Sequence, residues 1–151
     1  MGARASAAAA LLQPVSADPD PDLVLDDPAQ RARLSGPGLR TFFAVADELQ
    51  LGIDEQCRLL GGIGRSTCHK WRADQRVVLA RDQLERVSLV LGIYKALRLL
   101  FVDGLEALRW LKAGNHDLPF AGRSPLERML LGSIDDLYAV RRYLDAWRGV
   151  W

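Results

Sequence analysis

The stretch from Leu39 to Ala73, LRTFFAVADELQLGIDEQCRLLGGIGRSTCHKWRA, carries the reading of the fold. Leu39, Phe42, Phe43, Ala46 and Leu49 recur at the three- and four-residue spacing that lines up side chains along one stripe of a helix. Leu51 and Gly52 interrupt that stripe, and Asp54 offers an N-cap for a short second helix through about Leu60. Gly61 and Gly62 end it, because glycine adopts the left-handed backbone that closes a helix. A third helix is expected from about Arg65 to Ala73. Its Cys68 and Trp71 share a face and should pack inward, whereas Arg65, His69, Arg72 and Arg76 recur on another face and should point out. Three short helices joined by glycine-containing turns, the last polar and basic, match a helix-turn-helix, whose final helix enters the major groove of DNA.

Charge sharpens this reading. Between Gly61 and Arg81 the cations Arg65, Lys70, Arg72, Arg76 and Arg81 stand against Asp74 alone, inside a chain whose formal net charge is +1. Such a total excludes a globally basic protein that coats nucleic acid, so any footprint must come from uneven distribution. Arg65, Ser66 and His69 stand where the start of a recognition helix reaches base edges. Lys70, Arg72 and Arg76 are placed for phosphate contacts. The plainer alternative is a solvated basic face.

Outward from this core, residues 1–37 are Ala-rich and then Asp/Pro-rich, with few large apolar side chains to offset the entropy of ordering. A disordered acidic tail is expected there, followed by a helix-turn-helix region over 38–80 and a second helical region over 81–151. A long helix from about Asp82 to Phe101 is apolar on most sides after Ser88, so more than one neighbour must cover it; a dimer seam would serve. A fifth helix is expected over about Asp103 to Lys112, then a loop from Gly114 to Pro119. Ser124-Pro125-Leu126-Glu127 reads as a capping box with proline at the first helical position, and Ser133 with Asp136 repeats the signal. Leu137, Val140, Leu144 and Trp147 form the apolar stripe of a closing helix. No strand pattern competes, so the fold class is all-α.

The materials of catalysis are sparse. Cys57 and Cys68 form neither a CxxC pair nor a disulfide framework, and His69 and His116 stand far apart. Glu127, Asp135, Asp136 and His116 would be the groups of an enzyme, but the carboxylates sit at helix starts where the macrodipole already accounts for them. No catalytic residue, metal ligand or cofactor is therefore assigned. Met1-Gly2-Ala3-Arg4-Ala5-Ser6 fits a loose acylation pattern that arises easily in an Ala-rich stretch. No apolar run reaches membrane-spanning length, so a cytoplasmic protein without membrane contact is expected.

Several segments together carry a family resemblance. They are Gly64-Arg65-Ser66-Thr67 with Lys70-Trp71, Arg81-Asp82-Gln83-Leu84-Glu85-Arg86, and Leu91 to Leu97. Trp110-Leu111, Phe120 to Leu130, and Tyr138 to Trp151 complete the set. In order and spacing, from about Leu39 to Trp151, the chain resembles Xre/MbcA/ParS-type antitoxins, and its ending looks like their toxin-binding domain. The resemblance implies a helix-turn-helix followed by a small helical dimerisation and toxin-binding domain. It implies a cognate RES-domain toxin that consumes NAD and whose active site is covered, together with repression of the chain's own operon through operator DNA. A homodimer within a hetero-oligomeric complex is the expected assembly. The toxin contacts it suggests are Arg123, Tyr143, Arg148, Gly149, Val150 and Trp151. Gly149 lets the final helix stop, so that an indole projects outward as an anchor. The alternative is a stand-alone dimeric transcriptional or DNA-organising factor without a toxin.

Overall fold

The computed structural model describes residues 25–149; the Ala-rich and Asp/Pro-rich stretches before Leu25, and Val150 and Trp151, lie outside the described residues. Within them the chain is all helical: α1 (Pro28–Glu48), α2 (Ile53–Leu59), α3 (Arg65–Ala73), α4 (Arg81–Leu100), α5 (Gly104–Lys112), α6 (Pro125–Met129) and α7 (Ile134–Trp147). Two compact units divide between Ser88 and Leu89, inside α4. No helix among the described residues is long and apolar enough to cross a membrane.

In the first unit, α1 starts well before the expected boundary. Asp27 caps it, its carboxylate accepting the Ala29 amide at 2.9 Å, and Pro28 takes the first turn, where a missing N–H costs nothing. The expectation of a disordered segment is thus corrected over residues 28–37. Gly36-Pro37-Gly38 argues for a break on propensity alone, at about 1 kcal/mol per glycine and about 3 for proline. Burial outweighs it: Ser35 and Leu39 are fully enclosed. Ser35 Oγ donates to the Arg31 carbonyl at 2.6 Å and accepts the Leu79 amide at 2.9 Å, tying the extended segment after α3 to α1.

A second correction concerns α2. Its N-cap is Gly52, whose amide donates to Glu55 Oε1 at 2.8 Å, and Asp54 lies inside the first turn, free for another partner. Gly61 (φ +96°) and Gly62 (φ +83°) make the turn to α3, where only glycine adopts such angles without strain. Phe42, Leu59, Leu60 and Leu79 fill the core, and Leu84 and Val87 lie 3.7 and 3.5 Å from where a Cβ on Gly38 would sit. That packing places the first turns of α4 with the helix-turn-helix, so the unit extends past the boundary expected at residue 80. Both thiols are buried; burial pushes the Cys68 thiol up to about 11, with Cys57 nearby adding to the rise, which leaves it protonated and inert.

In the second unit each helix start is capped as its sequence requires. Asp103 accepts the Leu105 amide. Ser124 Oγ accepts the Glu127 amide at 3.0 Å, and Asp136 Oδ2 accepts the Ser133 amide at 3.1 Å. Ile93, Leu97, Leu111, Phe120, Leu137 and Leu144 are almost wholly enclosed. Gly92 allows a close approach: a Cβ there would stand 1.5 Å from Arg141 Nη1, while Arg141 Nε is held by Asp145 at 3.0 Å. The closing helix ends as expected, with Gly149 at φ +77°.

Candidate nucleic-acid and partner interfaces

On α3 the spacing that buries Cys68 turns Ser66, His69, Lys70 and Ala73 to solvent. Arg65 is also exposed, but its guanidinium grips Asp54 of α2 through two bonds of 2.7 and 2.6 Å. That contact holds the Asp54 carboxyl below its usual range. Arg76 lies beyond α3, in the extended segment, so it does not continue the helix face. It is exposed and pairs with Asp74 at 2.9 Å. Such solvent-facing pairs are weak in water, and a phosphate oxygen can take the place of either carboxylate.

Arg72 is placed differently from the outward phosphate contact expected of it. Its guanidinium reaches Asp47 of α1 through bonds of 2.9 and 3.1 Å and Gln56 Oε1 of α2 at 3.2 Å, and lies 4.8 Å from the centre of the Phe43 ring. Gln56 is itself buried and donates to the Leu51 carbonyl. Arg72 thus braces α3 against both of its neighbours. Its replacement by alanine is expected to cost about 1 kcal/mol, the sum of a solvent-screened ion pair and a partly exposed cation–π contact. Urea denaturation would check this, and an unchanged midpoint would count against the brace. Sequence reasoning missed it because a helical wheel separates faces but does not say which neighbour meets an intermediate one.

In the second unit the structure gathers an aromatic cluster. Tyr143 stacks on Trp110 with ring centroids 5.9 Å apart and meets Phe120 edge-on at 4.9 Å; Trp147 contacts Phe101, Trp110 and Tyr143. Trp147, expected in the buried stripe, is 51% exposed. The reason is its place in the last turn of α7, beyond Leu144, where the packed helices leave one side of the indole uncovered. The Tyr143 hydroxyl donates to Asp117 at 2.8 Å, and burial together with that carboxylate raises its pKa. Arg148, one of the toxin contacts suggested by the resemblance, pairs with Asp145 at 3.6 Å and is mostly covered. Arg123 is exposed, its carbonyl accepting the Asn115 amide at 3.0 Å. Gly149 follows Arg148 at the surface, and Val150 and Trp151 lie outside the described residues. Tyr143 and Arg123 meet at one loop, Tyr143 through Asp117 and Arg123 through its own backbone. Leu99, Val102, Leu105 and Leu118 are exposed apolar side chains that sequence reasoning passed over, because apolar character alone does not reveal exposure.

Comparison with known proteins assigns a role to each unit. Residues 28–92 match the antitoxin Xre-like helix-turn-helix domain, and residues 96–149 match the antitoxin Xre/MbcA/ParS C-terminal toxin-binding domain. The first match begins at Pro28, where α1 begins. The chain is also similar to the uncharacterized protein y4oB of Sinorhizobium fredii, at 45% identity over 111 residues, covering 74% of this chain and 84% of that protein. With a helix-turn-helix followed by a toxin-binding domain, both in the expected order, the chain belongs to the Xre/MbcA/ParS-type antitoxins.

Proposed function

We propose that this antitoxin is the cytoplasmic, non-enzymatic half of a type II toxin–antitoxin system. It neutralises a RES-domain toxin that consumes NAD by covering the toxin's active site, and represses its own operon as a homodimer on operator DNA. The observation that carries the reading is the tandem of the two domains, each with an exposed surface suited to its task. The first offers Ser66, His69 and Lys70 on one helix, flanked by Arg65 and Arg76 in exchangeable ion pairs. The second offers a half-exposed indole and the end of α7, from which Val150 and Trp151 continue.

Partner engagement is tested by co-expressing the chain with the product of the adjacent gene. A version ending at Gly149 is expected to lose growth rescue while keeping its helical circular-dichroism spectrum, because an aromatic side chain such as that of Trp151 is the kind of anchor that dominates an interface. Full rescue by the shortened chain would rule out the active-site plug. For DNA, Lys70→Ala is expected to leave the unfolding midpoint unchanged. It should flatten the dependence of log K on log salt by about 0.9, the share of one phosphate contact. A slope equal to that of the unaltered protein would remove Lys70 from the interface.

A further inference from the structure

The loop between α5 and α6 is held from several sides at once. Its neck is closed by the Asn115 amide donating to the Arg123 carbonyl at 3.0 Å and the Gly122 amide donating to the Asn115 carbonyl at 2.8 Å. Inside the neck, Asn115 Oδ1 accepts the Asp117 amide at 2.9 Å, and the Asp117 carbonyl accepts the Phe120 amide at 2.8 Å. Asp117's carboxylate is taken by the Tyr143 hydroxyl. On the far side, Arg128 Nη1 donates to the Pro119 carbonyl at 2.8 Å, and Arg128 Nε is itself fixed by Asp136 at 2.8 Å. Phe120 anchors the loop in the core at 1% exposure.

While the His116 and Arg123 side chains lie at the surface, Asn115, Asp117, Pro119 and Gly122 of this loop bond to the protein's own backbone and side chains. Its leucine is turned the other way: Leu118 is 82% exposed. A lone exposed leucine is ordinary. One carried by a loop whose backbone is pinned by this many internal hydrogen bonds is presented without the cost of ordering that backbone when a partner arrives. The loop also connects to the end of α7, since the residue that latches it, Tyr143, is in ring contact with Trp147.

We infer that the loop from Asn115 to Arg123 is a second docking element for the toxin, with Leu118 inserting into an apolar pocket of that protein and the Tyr143–Asp117 hydrogen bond holding the loop in its docking conformation. This rests on the toxin-binding reading and extends it to Leu118 and the loop that carries it. Tyr143 then acts as a positioning residue, because its hydroxyl is committed to Asp117.

The test uses the full chain co-purified and titrated with the product of the adjacent gene, comparing Leu118→Ala, Tyr143→Phe, the double variant and the chain ending at Gly149. Leu118→Ala is expected to weaken binding at least ten-fold while its melting temperature stays unchanged, as befits an exposed side chain. Tyr143→Phe, which keeps the ring and loses the latch, is expected to weaken binding several-fold. In the double variant it should add little to the loss from Leu118→Ala, because the latch acts only through the leucine. A purely structural tyrosine would give additive losses, and additivity would overturn the latch. If Leu118→Ala binds like the unaltered chain while the chain ending at Gly149 does not bind, the loop is not at the interface and the toxin-binding reading stands. If the unaltered chain forms no complex, both fall.

Discussion

Phe120→Ala is expected to lower the stability of the C-terminal unit by about 3–5 kcal/mol, the range for deleting a fully enclosed aromatic side chain. Phe120 is 1% exposed and packs edge-on against both Trp110, at 5.9 Å, and Tyr143, at 4.9 Å. Truncation removes the transfer free energy of the ring and leaves a cavity that two other rings border, and rigid rings collapse poorly into such space. The same ring seats the loop that carries Leu118, so toxin binding should fall along with stability. Urea titration followed by near-ultraviolet circular dichroism would register the change as a lower midpoint. Phe120→Leu, which retains most of the volume, is expected to cost clearly less. Equal midpoints for Phe120→Ala and the unaltered protein would contradict the packing described.

Ser35→Ala should cost about 1–3 kcal/mol in the helix-turn-helix unit, a large effect for the loss of one oxygen. The Leu79 amide is buried and donates to Ser35 Oγ at 2.9 Å across a separation of 44 residues. An alanine there leaves that N–H without an acceptor in a place water does not enter. Amide exchange at Leu79 is expected to accelerate in proportion to the lost stability. The extended segment from Asp74 to Ala80, which carries Arg76, should also loosen from α1, and DNA affinity should decrease. Unaltered exchange at Leu79 would show that the serine does not hold the segment.

These two residues show where sequence reading succeeds and where it stops. Phe120 stands in the segment that carries the family resemblance, yet nothing in its neighbourhood announces that it seats a loop. Ser35 sits beside Gly36-Pro37-Gly38, a stretch that propensity assigns to a disordered tail, and its role appears only when Leu79 is brought against it. The residues expected to face DNA divide in the same way. Ser66, His69 and Lys70 are exposed on α3, as the period of the helix requires once Cys68 faces inward. Arg72 shares the charge of that face but finds Asp47, Gln56 and Phe43 within reach and turns toward them.

By itself the sequence determined what is decided within about one helical turn. Ser124 and Ser133 cap their helices, the glycines at 61, 62 and 149 close them, and Leu39 to Leu49 form a buried stripe, because capping and periodicity join residues a few positions apart. Tertiary structure alone decided that α1 runs through Gly36-Pro37-Gly38, that α4's first turns belong with the helix-turn-helix, that Arg72 braces and that Trp147 stands half in solvent. Each of these depends on which distant residue arrives as neighbour, and the burial and hydrogen bonds that neighbour supplies exceed the local preferences readable along the chain.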